Sequence, residues 1–255
     1  MPTWHPAQYL RFGDHRTRPA RDLLAAIGFD APRTVVDVGC GPGNSTALLY
    51  ERWPLADLVG LDSSAAMIER ARQALPDVRF VEVDLEEWSP DAPVDVVFSN
   101  ATLQWVEDHA AVFPRLLGWL APAGTLAVQM PANFDQPSHV LMRELAASPR
   151  WTEEVGGVLR ESPVAAPQEY WRMLAPYGEI DIWTTEYLQV LEGEDPLTEW
   201  VRGTGLRSLL DRLDEDAAAA FVAEYSQMVS RAYPRQDDGF TLFPFRRLFI
   251  VVRAA

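Results

Sequence analysis

At 255 residues, 48% of them hydrophobic, the chain has material for one large domain with a sizeable core, and this composition argues against disorder. Its 37 acidic against 22 basic side chains give a net charge of −15, which argues against nucleic acid as a partner and obliges any acidic small substrate to find a local basic pocket. The single cysteine, Cys40, excludes an internal disulfide, the scattered His5, His15, His109 and His139 lack metal-ligand spacing, and no long apolar run or leader pattern is present, so a metal-free, cytoplasmic protein away from membranes is expected.

The chain opens with Trp4, Tyr9, Leu10 and Phe12, followed by His15, Arg16 and Arg18 ahead of Pro19. Aromatic and basic residues in this mixture suit either a lid over a ligand or an amphipathic arm packed on the surface. From Pro19 to Ile27 the apolar spacing is helical and ends near Gly28. Next, Val35, Val36 and Val38 form a β-branched run that stops at Gly39, Gly41 and Gly43, which predicts a buried strand entering a glycine turn. Asn44 and Ser45 are cap-forming residues, so a helix should start at once, and Pro54 limits its length.

Such a turn sets free backbone N–H groups and bare backbone beside a nucleotide-like ligand. The dinucleotide fingerprint is Gly-x-Gly-x-x-Gly, whereas here the third glycine comes one place early. Asp37 stands two residues before the first glycine, and a buried carboxylate there repels a pyrophosphate but suits a cationic ligand. The motif therefore favours S-adenosylmethionine, with its ammonium and sulfonium, over a nicotinamide cofactor.

A second strand, Asp57 to Asp62, ends in a carboxylate about twenty residues after the turn, the spacing at which ribose hydroxyls are held. Ser63 and Ser64 cap the helix that follows, which Pro76 closes. Val78 to Asp84 reads as the third strand; Asp84 at its end suits the adenine amine, with Leu85 against the ring. Pro93 to Asn100 is the fourth, and its exit carries Asn100, Gln104 and Trp105 toward the same crevice. A helix over Ala110 to Leu120, a turn at Pro122 to Gly124 and a fifth strand from Thr125 to Met130 complete a doubly wound α/β alternation.

Taken together, Val-Val-Asp37-Val-Gly39-Cys-Gly41-Pro-Gly43, Leu-Asp62, Val-Asp84-Leu85 and the turn at Gly124 resemble the class I S-adenosylmethionine-dependent methyltransferases. Longer strings, among them Gly41 to Leu49, Asp62 to Ile68, Ser99 to Trp105, Val128 to Asn133, His139 to Glu144 and Phe245 to Val251, are similar to the branch of that family that esterifies trans-aconitate. The resemblance runs from Trp4 to Val252 and is least motif-like from Ala146 to Ser162. It implies a Rossmann-like seven-stranded sheet, the sixth strand over Glu179 to Gln189 and an antiparallel seventh over Leu248 to Arg253, with a helical cap inserted before it. Pro196 to Leu213 and Asp216 to Tyr233 have the helical spacing for that insertion. The expected organisation is one domain: a lid and helix over 1–30, a core sheet over 31–187 with a cap segment at 131–167, a helical insertion over 190–247 and the last strand at 248–253.

The implied reaction moves the sulfonium methyl group onto a carboxylate oxygen, giving a monomethyl ester. A carboxylate is already ionised at neutral pH, so no general base is needed, and the protein's part is positioning and desolvation. Asp37, Gly39, Gly41, Gly43, Asp62, Ser63, Asp84, Leu85 and Asn100 are the candidate cofactor residues, with Asn100, Gln104 and Trp105 as positioning residues, Trp105 through a cation–π contact. The remaining carboxylates of a tricarboxylate call for cations, and arginine's planar fork binds them bidentately. Arg16, Arg18, His139, Arg143 and Arg247 are the leading candidates, out of a set that also holds Arg11, Arg202, Arg207 and Arg246. His139 and Arg143 stand four apart and should share a helix face. Another small acid or an acyl-carrier thioester is the alternative acceptor, and a non-catalytic binder of the cofactor is a further reading. No heptad or repeat suggests assembly, so a monomer acting on a small molecule is expected.

Overall fold

A computed structural model describes residues 13–255, with side chains from Thr17 onward. The expected arm ahead of residue 13, with Trp4, Tyr9 and Arg11, and the side chain of Arg16 lie outside the described residues. Helix α1 (Gly13–Ala25) leads into β1 (Thr34–Val38), α2 (Asn44–Arg52), β2 (Asp57–Asp62), α3 (Ala65–Ala74), β3 (Arg79–Glu82) and β4 (Val94–Asn100). After α4 (His109–Leu117) come β5 (Leu120–Pro131), α5 (Pro137–Ala146), α6 (Thr152–Val155) and α7 (Pro167–Leu174). The chain closes with β6 (Gly178–Leu191), α8 (Pro196–Arg202), α9 (Arg207–Leu210), α10 (Glu215–Ala232) and β7 (Thr241–Ala254).

The seven strands form one sheet in the order β3-β2-β1-β4-β5-β7-β6, with β1 to β5 parallel and β7 antiparallel to β5. This is the Rossmann-like architecture that the resemblance implied. The central strands are buried on both faces, as a parallel sheet sandwiched between helices must be. Val35, Val36, Val96, Val97, Leu126, Val128 and Ile250 are among their fully enclosed residues. Asp95 at the start of β4 accepts hydrogen bonds from the Arg33 and Thr34 N–H groups, at 2.6 and 3.3 Å, which holds the entry ends of β1 and β4 together.

Several boundaries differ from the sequence reading, each for a local reason. Helix α4 ends at Leu117 because Leu120 already pairs with Val94; the expected turn at Pro122 to Gly124 is an irregularity inside β5, with Ala123 at φ 61°. β3 stops at Glu82, since the Asp84 carboxylate accepts the Glu86 N–H and turns the chain. β7 begins at Thr241, well before Leu248, because Thr241, Phe243, Phe245 and Arg247 are buried at alternate positions on either side of Pro244. The helical insertion is correspondingly shorter than 190–247.

The described residues form two compact units. One comprises residues 13–131, 164–185 and 247–255 and holds β1 to β5 and the glycine turn. The other comprises residues 132–163 and 186–246 and has a core of its own, in which Met142, Trp151, Trp200, Phe221, Tyr225 and Phe243 are buried. Inside that second unit, the Tyr225 hydroxyl donates to the Ser138 carbonyl at 2.9 Å, tying α10 to the first turn of α5.

Candidate active site

Five polar residues of the sheet unit share one face of the sheet. Opposed residues of neighbouring strands share a face, as do residues two apart along one strand. Asp37 stands opposite Gly60 in β2 and Phe98 in β4, Asn100 opposite Gln129 in β5, Gln129 opposite Phe249 and Pro131 opposite Arg247 in β7. Asp62, Asp37, Asn100, Gln129 and Arg247 therefore lie on a single face, at the end of the sheet where parallel strands deliver ligand-binding groups.

Asp37 is wholly buried. Its Oδ2 accepts from the Ser45 hydroxyl at 2.8 Å and the Thr46 hydroxyl at 2.6 Å, while Oδ1 has no partner among the described residues. Burial raises its pKa to about 6 even though both hydroxyls favour the charged form. The Ser45 side chain, read from sequence as a helix cap, is thus engaged by the carboxylate; the N-cap of α2 is Gly43, which makes no side-chain cap bond.

Gly39, Gly41 and Gly43 all have left-handed φ, at 70°, 55° and 92°. A Cβ on Gly39 would sit 2.1 Å from the Thr102 methyl, and the Thr102 hydroxyl donates to the Gly39 carbonyl at 3.1 Å, so the turn and the β4 exit are in close contact. A Cβ on Gly41 would meet nothing within 4 Å. The turn is therefore tight on one side and open on the other. Its shape is held by Asp62, whose two oxygens accept the Gly41 and Ser64 N–H groups, each at 2.9 Å. Burial raises the Asp62 pKa and these two bonds oppose the rise. Each oxygen keeps a lone pair for a further donor. Ser63 is exposed beside it, and Asp84 and Leu85 follow the Val83 N–H bond to the Asp62 carbonyl, so all three border the same strand ends.

At the end of β4 the Asn100 Oδ1 is buried without a partner among the described residues, and Ala101 has φ 56°, a strained value for a non-glycine residue. Gln104 is buried, its amide donating to the Ala101 carbonyl at 2.6 Å, so it braces this turn; Trp105 is half exposed. Arg247 is only 4% exposed, and its Nη1 donates to Gln129 Oε1 at 3.1 Å. Neither Thr102 nor Gln129 was singled out from sequence. For Gln129 a signal existed, an amide inside the apolar run Leu-Ala-Val-Gln-Met; for Thr102 there was none.

His139 and Arg143 lie in the other unit and are gathered around Phe134: the Arg143 Nη1 donates to its carbonyl at 2.9 Å and the His139 ring packs 4.8 Å from its ring. Burial, then the neighbouring Arg143, lowers the His139 pKa to about 4, so His139 is neutral at physiological pH and carries no charge for a carboxylate. Arg202 pairs with Glu199 and Arg207 with Asp211, Arg246 is bonded to Asp135 and the Ala132 carbonyl, and Arg18 is exposed on α1. Among the described residues no group of His, Cys, Asp or Glu side chains could hold a metal ion, and no helix is long and apolar enough to cross a membrane.

A methyltransferase-domain family matches residues 35–124. The trans-aconitate 2-methyltransferase of Azoarcus sp. is 52% identical over 252 residues, covering 98% of this chain and 99% of that protein, and the one of Streptomyces coelicolor is 53% identical over 265 residues, covering 99% and 87%. The chain belongs to the trans-aconitate 2-methyltransferase family. Phosphoethanolamine N-methyltransferase 2 of Haemonchus contortus, solved with phosphomonomethylethanolamine and S-adenosylhomocysteine, has the same fold at TM-score 0.57 and 16% identity, covering 93% of this chain and 53% of that one. In this member of the trans-aconitate 2-methyltransferase family the open side of Gly41 and the unpartnered Asp37 Oδ1 and Asn100 Oδ1 fit a ligand that brings donors and positive charge.

Two consequences are measurable. Gly39→Ala should lose about 1–2 kcal/mol or more of stability through the left-handed φ and the Thr102 collision, whereas Gly41→Ala, with only the φ penalty, should lose less, and denaturant titration separates them. Asp37 has a folded pKa above its unfolded value, so its contribution to stability is full below about pH 4 and is lost as pH rises through 6. Relative to Asp37→Asn, the ligand-free wild type should therefore lose about 1–3 kcal/mol between pH 4 and 7, measured as unfolding free energy across that range.

Proposed function

We propose that this chain transfers the methyl group of S-adenosylmethionine to a carboxylate of trans-aconitate, forming the monomethyl ester. The observation that carries the reading is the sorting of polar groups along one sheet face: acceptors at Asp37, Asp62 and Asn100 on β1, β2 and β4, donors at Gln129 and Arg247 on β5 and β7. Acceptors suit the ribose hydroxyls and the cationic methionine end of the cofactor; donors suit an anionic acid. The trans-aconitate 2-methyltransferases, half identical along the whole chain, supply the identity of that acid, and the Haemonchus contortus structure shows the fold carrying S-adenosylhomocysteine.

In this reading the glycine turn from Gly39 to Gly43, with Asp37, Asp62, Ser63, Asp84, Leu85 and Asn100, holds the cofactor, and Arg247 holds acid. When bound, the cofactor supplies an electrophilic methyl group on sulfur, which a carboxylate oxygen takes while the bonding pair stays on sulfur. The protein need not move a proton, because the nucleophile is ionised. Its work is to fix the reactants and replace water by preorganised groups: Gln104 bracing the Ala101 turn and Thr102 clamping it to Gly39 keep the β4 exit rigid. A cation on the attacking oxygens would weaken them as a nucleophile, so Arg247 is assigned to a carboxylate that remains charged. A cytoplasmic monomer that acts on a small molecule completes the reading, and the net charge of −15 argues against nucleic acid as its partner.

The test is transfer from methyl-labelled cofactor to trans-aconitate, cis-aconitate, citrate and isocitrate in parallel. Base-labile label on trans-aconitate is the expected outcome, and Arg247→Met should raise its KM at least about tenfold with cofactor affinity unchanged. Cofactor binding with no label on any acid would instead favour a different acceptor, such as an acyl-carrier thioester.

A further inference from the structure

Gln129 is fully buried near the end of β5, and its surroundings leave its amide only one orientation. The Arg247 guanidinium has donors and no acceptor, so the atom of Gln129 that faces it at 3.1 Å must be the oxygen. Nε2 is thereby turned the other way. It is buried and has no hydrogen-bond partner among the described residues, which is a costly state for a donor pair unless a ligand completes it.

The backbone around Gln129 says where that donor lies. Its carbonyl accepts the Ala101 N–H at 2.9 Å, and it stands directly opposite Asn100 on one side and Phe249 on the other. The Phe249 ring, stacked on Trp183 at 4.8 Å and 8°, offers no acceptor from the β7 side. Gln129 is thus the joint between the strained β4 exit, where the acceptors are, and the buried cation of β7.

We propose that Gln129 is a substrate-binding, specificity-determining residue: its Nε2 donates to the carboxylate oxygen that is methylated, while its Oε1 fixes Arg247 to take a second, permanently ionised carboxylate of the same acid. This rests on the carboxyl-methyltransferase reading above. A neutral amide is the appropriate donor for the reacting group, because it orients the oxygen without the charge that would suppress its attack, and it can keep its bond as that oxygen loses its negative charge in the ester. A guanidinium is the appropriate partner for the carboxylate that never reacts. The pairing selects acids with at least two carboxylates, and monocarboxylates should be poor substrates.

The decisive variant is Gln129→Glu. It keeps an oxygen acceptor on Arg247, so a merely structural role for Gln129 would be preserved, but it replaces the donor by a second anionic oxygen where the substrate carboxylate must sit. KM for trans-aconitate should rise thirtyfold or more while the cofactor dissociation constant, read by calorimetry, stays within twofold. Gln129→Met serves as the second variant: it removes the unpartnered buried donor together with the Arg247 acceptor, so its unfolding temperature is read alongside its kinetics, and the folded variant should still raise KM at least tenfold. Wild-type turnover with KM unchanged within twofold in the folded variants overturns the proposal and leaves the carboxyl-methyltransferase reading standing. A wild type that methylates no acid overturns that reading, and this proposal with it.

Discussion

The sheet unit depends on a carboxylate placed where solvation cannot reach it. Asp37 is enclosed at the end of β1, and the cost of burying its charge is reflected in a pKa lifted to about 6. Two hydroxyls from the first turn of α2 offset part of that cost, and in doing so they dictate how the helix must leave the glycine turn. Three consecutive alternate residues with left-handed φ follow from the same demand: only glycines let the chain reverse tightly enough to bring Ser45 and Thr46 back over Asp37. Oδ1 is left over, without a partner among the described residues.

From Asp37 the polar character changes across the face in strand order. β1, β2 and β4 contribute acceptors, β5 and β7 donors, and the change of sign falls between Asn100 and Gln129, which are paired in register. An arrangement in which one reactant is cationic and the other anionic needs this separation, since each group stabilises its own ligand and would repel the other. The antiparallel insertion of β7 next to β5 is what makes it available: it brings Arg247 opposite Pro131, within reach of Gln129.

The parts legible in the sequence were those that rest on local chemistry. Runs such as Val35 to Val38 and Val94 to Phe98 can only be buried strands, the three glycines can only be a turn, and the distance from the turn to Asp62 follows from one strand-helix-strand unit. Less legible was whatever depends on long-range packing. Pro244, Arg246 and Arg247 interrupt the apolar run that marks β7, so its first half was assigned to the insertion, although Phe243 and Phe245 alternate correctly for a strand. Ser45 reads as a cap until the Asp37 carboxylate is seen above it. The basic residues could not be ranked firmly as carboxylate ligands from sequence, because their burial and pairing are set by long-range packing: Arg247 is enclosed on the sheet, His139 is stripped of its charge, and Arg202, Arg207 and Arg246 have acidic partners. Gln129 went unnoticed because one polar residue in an apolar strand does not say which way its amide faces.

The central claim is that one sheet face sorts the two reactants by charge, and the most direct measurement is a crystal structure of the chain with S-adenosylhomocysteine and trans-aconitate bound together. The account predicts the ribose on Asp62, the amino group of the methionine part on the Asp37 and Asn100 side, one carboxylate of the acid on Gln129 Nε2 and another on Arg247. An acid bound away from β5 and β7, with Gln129 Nε2 still lacking a partner, would contradict it.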